Sequence, residues 1–248
     1  MLNNKETSSI SIGSTLIIFS LITFFYYVIR YNLYDYSNDQ NADSSENVYF
    51  SIYLLIVILT NFFINLNISN EVCGTNQWQT AIFSTLGSWF IIFGFIFVGL
   101  KSYPSWLMPF SNTFGYGVAY LANLDETVYN LFKSTDDSSV KNDKGSLNML
   151  EKIFSQKSLV VNEITMDNFK NFWNKMEGLF IDDIKKRGEL KISLKQIIHL
   201  KELTAEFLWY ILAGYLIISV SKNYIVNESC KRSVQELQNR YNIELNDK

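Results

Sequence analysis

The side chains best suited to chemistry in this chain are few and widely separated. Its 248 residues contain two cysteines, Cys73 and Cys230, and a single histidine, His199. Because a zinc site needs three or four such ligands, no metal site is predicted. His199 stands between Ile198 and Leu200 without an acidic or cysteine neighbour, which is typical of a packing or surface residue rather than a catalyst.

Sequence motifs typical of enzymes and of nucleic-acid-binding proteins are missing. The chain has no phosphate-binding glycine loop, no nucleophile elbow and no HExxH zinc motif. Its net charge of −3 and isoelectric point near 5.3 provide no basic surface for nucleic acid. We therefore predict no catalytic residue, no cofactor and no nucleic-acid partner.

Four long stretches of the chain contain no acidic residue, no basic residue and no histidine. They comprise residues 8–29, 48–70, 72–100 and 207–221. A helix of roughly 20 apolar residues crosses the hydrocarbon core of a bilayer, which is about 30 Å thick. The sequence therefore predicts a mainly α, integral membrane protein with four spans, at about residues 10–29, 48–68, 80–100 and 203–226.

The first span is interpreted as an uncleaved signal anchor. Its apolar run is longer than the core of a signal peptide, and no small-x-small cleavage site follows it. We treat residues 1–124 as a transmembrane region, residues 125–202 as a water-facing domain, and residues 227–248 as an amphipathic C-terminal tail.

An uncharged aromatic segment at residues 102–124 follows the third span. It contains both prolines of the chain, five residues apart, and two such prolines break a helix. Aromatic side chains favour the headgroup region. We predict an interfacial or shallow re-entrant loop; a fifth crossing at residues 110–124 is the alternative. The predicted anchors are Pro104, Trp106, Pro109, Phe110, Phe114 and Tyr116.

The water-facing domain is predicted to be mostly helical. Apolar residues repeat at helical spacing after Thr165, a suitable helix cap, and Ser193 with Gln196 resembles a capping box that would begin a long helix into the fourth span. Residues 159–164 and 190–194 could form short strands.

Asn61 and Asn65 are the polar residues inside a span that most need a partner. They are four residues apart and so share one helix face. The simpler interpretation is hydrogen bonding between helices; a polar conduction path is the alternative. Gly87 and Gly94, seven residues apart, predict close approach of a neighbouring helix.

Two further pairings are predicted close to the ends of the spans. Glu206 is expected mainly to favour the N-terminal end of its helix, and an ion pair with Lys101 or Lys201 is the alternative. Four crossings put Cys73 and Cys230 on the same side of the membrane at similar depth. A disulfide between them is one expectation, and two free thiols are the other.

Several motifs resemble multi-span membrane proteins of large double-stranded DNA viruses of eukaryotes, the nucleocytoplasmic large DNA viruses. They are Cys-Gly-x-x-Gln at 73–77, Gly-x-Trp at 87–89, Tyr-Pro-x-Trp-x-x-Pro-Phe-Ser-Asn-Thr-Phe-Gly-Tyr at 103–116, and Val-Asn-Glu-Ser-Cys at 226–230. The resemblance implies a structural virion protein, or minor capsid protein, in an inner membrane derived from the host endoplasmic reticulum. The implied partners are the lipid bilayer and capsid or other minor capsid proteins, with further copies of the chain as an option.

Two other functions are compatible with the same residues. An ion channel or pore would use Asn61, Asn65 and neighbouring hydroxyl groups as its polar path. A viral entry or membrane-fusion factor would use the aromatic segment between Trp106 and Tyr116. An enzyme is not expected.

Overall fold

Helices account for almost all of the chain that a computed structural model describes, namely residues 3–37, 43–73, 78–229, 238, 239 and 242. The first two are α1 (Asn3–Leu33) and α2 (Asp43–Cys73). Helix α3 (Trp78–Ser88) continues through a π-helical turn (Trp89–Phe93) into α4 (Gly94–Ser102). The long helix α12 (Ile184–Tyr224) ends in a second π-helical turn (Ile225–Ser229).

Shorter helices lie between α4 and α12. Their order is a 3₁₀ turn (Pro104–Leu107), α5 (Met108–Phe110), a π turn (Ser111–Gly115), α6 (Tyr116–Leu121), α7 (Leu124–Leu131), α8 (Ser138–Lys141), α9 (Lys144–Ser155), α10 (Lys157–Glu163), α11 (Phe169–Met176) and a 3₁₀ turn (Glu177–Leu179).

Four segments are long and apolar enough to cross a membrane, so the prediction of a mainly α, integral membrane protein is confirmed. They are Gly13–Leu33, Asn47–Glu71, Trp78–Ser102 and a stretch within Ile184–Asn227. Large apolar side chains point outward from them, with Ile91 74% and Phe83 73% exposed. Hydrocarbon is the solvent that makes such exposure favourable.

The chain divides into two compact units. The membrane bundle comprises Met1–Val28, Asp43–Tyr103 and Trp209–Lys248, and the second unit comprises Ile29–Ala42 and Pro104–Leu208. Most of the predicted C-terminal tail, including residues 230–237 and 243–248, lies outside the described residues.

Aromatic side chains fill one half of the membrane bundle. Tyr26 stacks on Tyr53 with ring centroids 4.3 Å apart, and Phe93 meets Tyr210 edge-on at 4.9 Å. Tyr210 is 1% exposed. These rings give the bundle a closely packed interior, because each aromatic contact adds to the burial of a large side chain.

The predicted close approach at Gly87 and Gly94 is wrong. A Cβ added to either glycine would meet no atom within 4 Å. The π turn at Trp89–Phe93 lies between them and takes up one extra residue, which shifts the helix phase by about 100°. The two glycines therefore no longer share a face. Close approach occurs instead at Gly214, where a Cβ would overlap the ring of Phe19.

The core of the second unit consists of apolar residues from its short helices and from α12. Its members include Leu131, Leu150, Ile153, Phe169, Phe180 and Ile198. The sequence predicts short strands at two segments, residues 159–164 and 190–194. Residues 159–163 instead belong to α10, which Ile164 follows in an extended conformation, and residues 190–194 belong to α12. The β pairing in the described residues is limited to an isolated antiparallel bridge between Phe132 and Phe180.

Helix α12 begins ten residues earlier than the capping-box prediction places it. The Asp183 carboxylate accepts hydrogen bonds from the backbone N–H groups of Lys185 and Lys186, at 3.0 and 3.1 Å. Ser193 lies inside the helix, and its hydroxyl donates to the carbonyl of Glu189. An acidic cap also suits the positive end of the helix dipole.

Thr165, the cap predicted for the helix that follows it, forms a pair of hydrogen bonds with Asn168. Its hydroxyl accepts from the Asn168 backbone N–H at 3.2 Å, and the Asn168 side chain accepts from the Thr165 N–H at 2.9 Å. This reciprocal pair closes the turn just before α11, whose N-cap residue is Asn168 rather than the predicted Thr165.

The aromatic segment predicted as a loop is helical from Pro104 to Leu121. Pro104 does end the preceding helix, whereas Pro109 occupies the first turn of α5, where no N–H is needed. Ser111, Gly115 and Ala119 form its buried stripe. At Gly115 a Cβ would clash with the backbone carbonyl oxygen of Lys201 in α12.

Gly115→Ala is therefore expected to destabilise the second unit by about 1–3 kcal/mol, because the backbone of α12 must move to admit a methyl group. Gly117→Ala is the matched control, since a Cβ there meets no atom within 4 Å. Thermal unfolding in one detergent compares them. Equal midpoints for the two variants would contradict the packing described here.

Candidate functional site

Polar side chains gather in the half of the membrane bundle where α2 and α12 end and α1 and α3 begin. Thr15, Asn61, Asn65, Ser69, Thr80, Ser84, Thr85, Ser221 and Lys222 are all buried there. Polar groups at membrane depth are costly unless they find partners. This polar cluster is the first candidate site.

Asn65 connects three helices within the polar cluster. Its side-chain amide donates to the hydroxyl of Thr85 in α3 at 2.8 Å and to the hydroxyl of Ser221 in α12 at 2.7 Å. Both amide protons are thus in use. Asn61 instead donates to the carbonyl of Val57 in its own helix, at 3.0 Å. Of the two predicted interhelical amides, the structure brings only Asn65 to other helices.

Lys222 contributes a basic group to the same cluster. Its ammonium donates to the hydroxyl of Thr15 in α1 at 2.9 Å, and the residue is 4% exposed. The bond joins the first and last spans. Ser69 is fully buried, and its hydroxyl has no hydrogen-bond partner among the described residues.

The predicted interfacial anchors are divided by exposure. Pro104, Pro109 and Phe114 are exposed, whereas Trp106, Phe110 and Tyr116 are partly buried. Burial and the nearby Asp125 raise the pKa of Tyr116 above its usual value. The predicted disulfide lies outside the part of the chain that the structure describes, which includes neither the Cys73 side chain nor Cys230.

The second candidate site is a cluster of charged and polar groups in the second unit, near the middle of α12. Glu206 pairs with Arg30, so the pairing predicted with Lys101 or Lys201 is wrong. Arg30 lies in the last turn of α1, so this ion pair connects α1 to α12.

His199 is packed among tyrosines from the end of α1 and the residues after it. The Tyr34 ring lies 4.4 Å from the imidazole, and the Tyr36 hydroxyl lies 2.9 Å from Nδ1. The same hydroxyl lies 3.1 Å from the carbonyl oxygen of Tyr31, and both hydrogen bonds form together when the imidazole carries its proton on Nδ1. Burial raises the pKa of Tyr36, with contributions from Tyr31 and Tyr34. His199 is a packing residue here.

Lys201 and Glu202 together form a clamp on the connection between α10 and α11. The Lys201 ammonium donates to the carbonyls of Val161 and Ile164, both at 2.9 Å. The Glu202 carboxylate accepts from the backbone N–H of Met166 at 3.1 Å. The ammonium supplies the donor for the carbonyl of Ile164 and a second donor for that of Val161, which also accepts from the Ile164 N–H at 3.2 Å, and the carboxylate supplies the acceptor for the N–H of Met166.

A groove in the second unit lies beside this clamp. Its volume is about 580 Å³, and it is lined by residues of α9, α10 and α11 and the turn before α11. The apolar floor consists of Val160, Ile164, Phe172 and Met176, and the polar rim of Lys152, Gln156, Glu163, Asn168, Asn171 and Lys175.

The clamp, the buried Lys222 and the groove were not predicted from the sequence. A signal for Lys201 does exist, because it follows Leu194, Ile197 and Ile198 at helical spacing and precedes Ala205, all of them buried. A lysine within an apolar stripe predicts a buried cation with acceptors. No comparable pattern reveals the groove.

Comparison of the chain with known protein families, with characterised proteins and with solved structures gives no match. In the part of the chain that the structure describes, no three His, Cys, Asp or Glu side chains are grouped so that they could hold a metal ion. The polar side chains of the two candidate sites form hydrogen bonds and ion pairs between helices.

Asn65→Ala is expected to lower the stability of the bundle by about 1 kcal/mol more than Asn61→Ala does, because only Asn65 loses bonds to other helices. Thermal unfolding of both variants in the same detergent measures the difference. A cost for Asn61→Ala that equals or exceeds the cost for Asn65→Ala would contradict the assignment.

Lys201→Met is expected to destabilise the second unit by about 1–3 kcal/mol, since it leaves the buried carbonyl of Ile164 without a donor and removes one of the two donors to the carbonyl of Val161. Lys185→Met, at an exposed position of the same helix, provides the control. The midpoint of thermal unfolding reports both. An unchanged midpoint for Lys201→Met would mean that the clamp is dispensable.

Proposed function

We propose that this chain is a structural membrane protein of a virion, which anchors or organises the inner membrane beneath the capsid. The observation that carries the proposal is the filled interior of the membrane bundle. Aromatic rings around Tyr210 occupy one half, and in the other half Asn65 and Lys222 bond to side chains of neighbouring helices. A filled interior suits an anchor, whereas a conducting path needs polar groups open to water or ions.

The assignment to a virion rests on the motifs between Cys73 and Tyr116 and on the segment ending at Cys230, which resemble membrane proteins of large DNA viruses. The expected partners are the lipid bilayer, capsid or other minor capsid proteins, and further copies of the chain. The folded second unit supports this proposal because it offers a helical surface for proteins next to the membrane.

Cross-linking mass spectrometry on intact, purified particles tests the proposal. Exposed lysines of the second unit, such as Lys144 and Lys170, are expected to cross-link to capsid or minor capsid proteins, and the copy number is expected to stand in a constant ratio to the major capsid protein. Absence of the chain from particles, or a variable trace amount, would overturn the proposal.

A pore is the second candidate, and the buried Lys222 beside the Asn65 network favours it, because ionisable residues within spans often mark ion pathways. Ion flux through reconstituted liposomes separates the two functions. An anchor gives no more flux than protein-free vesicles. Flux that Asn65→Leu abolishes, while Asn67→Leu at an exposed position retains it, would favour the pore and contradict the anchor.

A further inference from the structure

The groove of the second unit combines an apolar floor with basic side chains at its rim. Phe172, Met176 and Val160 are only partly buried, so apolar surface remains open along the groove. Open apolar surface between helices is what an amphipathic helix of a partner protein covers. The flexible Met176 side chain in the floor can adjust to the residues of such a helix.

The charges on the rim determine which helix would fit. Lys152 and Lys175 are exposed, and neither has an ion-pair partner in the described ranges. Lys133 and Lys157 differ, since Lys133 pairs with Asp182 and Lys157 with Asp125, so the two rim lysines are among the lysines of the unit whose charge is open to a partner. Glu163 is the acidic residue of the lining, so the rim is positive by one charge. Carboxylates on the occupant would complement it.

The floor is also held in place, which favours binding without rearrangement. The Lys201 ammonium fixes the carbonyl of Ile164, and Glu202 fixes the N–H of Met166 two residues further on. The reciprocal bonds between Thr165 and Asn168 hold the turn at the end of the groove. A preorganised groove loses less entropy on binding than a mobile one.

We propose that this groove is the docking site for an amphipathic helix of a partner protein. The apolar face of that helix would lie on the groove floor, and its carboxylates would lie beside Lys152 and Lys175 at the rim. A helix fits the open floor better than a lipid acyl chain does, because an acyl chain is usually enclosed on most of its surface. The inference rests on the proposed function only for the nature of the partner, namely a protein next to the membrane.

The test uses the full-length protein in nanodiscs and two designed fluorescent peptides. Each is an amphipathic helix of about 18 residues, about 27 Å long, with leucines along one face. Glutamates flank the leucines in one peptide and lysines flank them in the other. Fluorescence anisotropy is expected to show saturable binding of the glutamate peptide and at least tenfold weaker binding of the lysine peptide, with empty nanodiscs as the blank.

Charge reversal then assigns the binding to the groove. The double variant Lys152→Glu with Lys175→Glu is expected to weaken the glutamate peptide about tenfold and to strengthen the lysine peptide, because both rim contacts change sign. Lys144→Glu with Lys170→Glu makes the same change in net charge at exposed positions outside the groove lining, and it is expected to leave both affinities unchanged.

Three results would overturn the proposal: no saturable binding, equal affinity for the two peptides, or equal effects of the two double variants. A fluorescent fatty acid that binds in the groove and is weakened by Lys152→Glu with Lys175→Glu, while neither peptide binds, would assign the groove to lipid instead. None of these results depends on particles, so the proposed virion function stands or falls separately, on the cross-linking experiment.

Discussion

Hydrocarbon around the membrane bundle admits a polar group in two settings only, within a helix or against another polar group. The bundle meets this constraint in both ways. Its backbone is helical through every span, and Asn65 and Lys222 bond to hydroxyl groups of neighbouring helices. The same constraint explains why aromatic rings occupy the rest of the interior, since van der Waals packing is the main force left between helices in lipid.

The second unit meets a comparable demand with charge instead of hydroxyl groups. Buried connections between short helices leave N–H and C=O groups without partners, and adjacent residues Lys201 and Glu202 satisfy both kinds. Gly115 lets its own helical segment, Pro104–Leu121, approach the backbone of α12 closely at Lys201. One side of α12 thus organises the helices around it, including those that line the groove.

Predictions for single residues failed where the outcome depended on helix boundaries, on helix phase or on a residue distant in the sequence. Asp183 rather than Ser193 caps α12, because a carboxylate with free N–H groups ahead of it competes well as a cap. Gly87 and Gly94 do not share a face, because a π turn between them changes the helix phase. Glu206 pairs with Arg30, which is distant in sequence.

Composition along the sequence determined the helical spans and the membrane environment, because transfer of apolar side chains from water adds up residue by residue and needs no knowledge of neighbours. Tertiary structure decided which polar groups meet. Asn61 and Asn65 are equivalent in the sequence, yet one bonds within its own helix and the other joins three helices. A hydrogen bond requires a partner within about 3 Å, and only the packing of the helices supplies it.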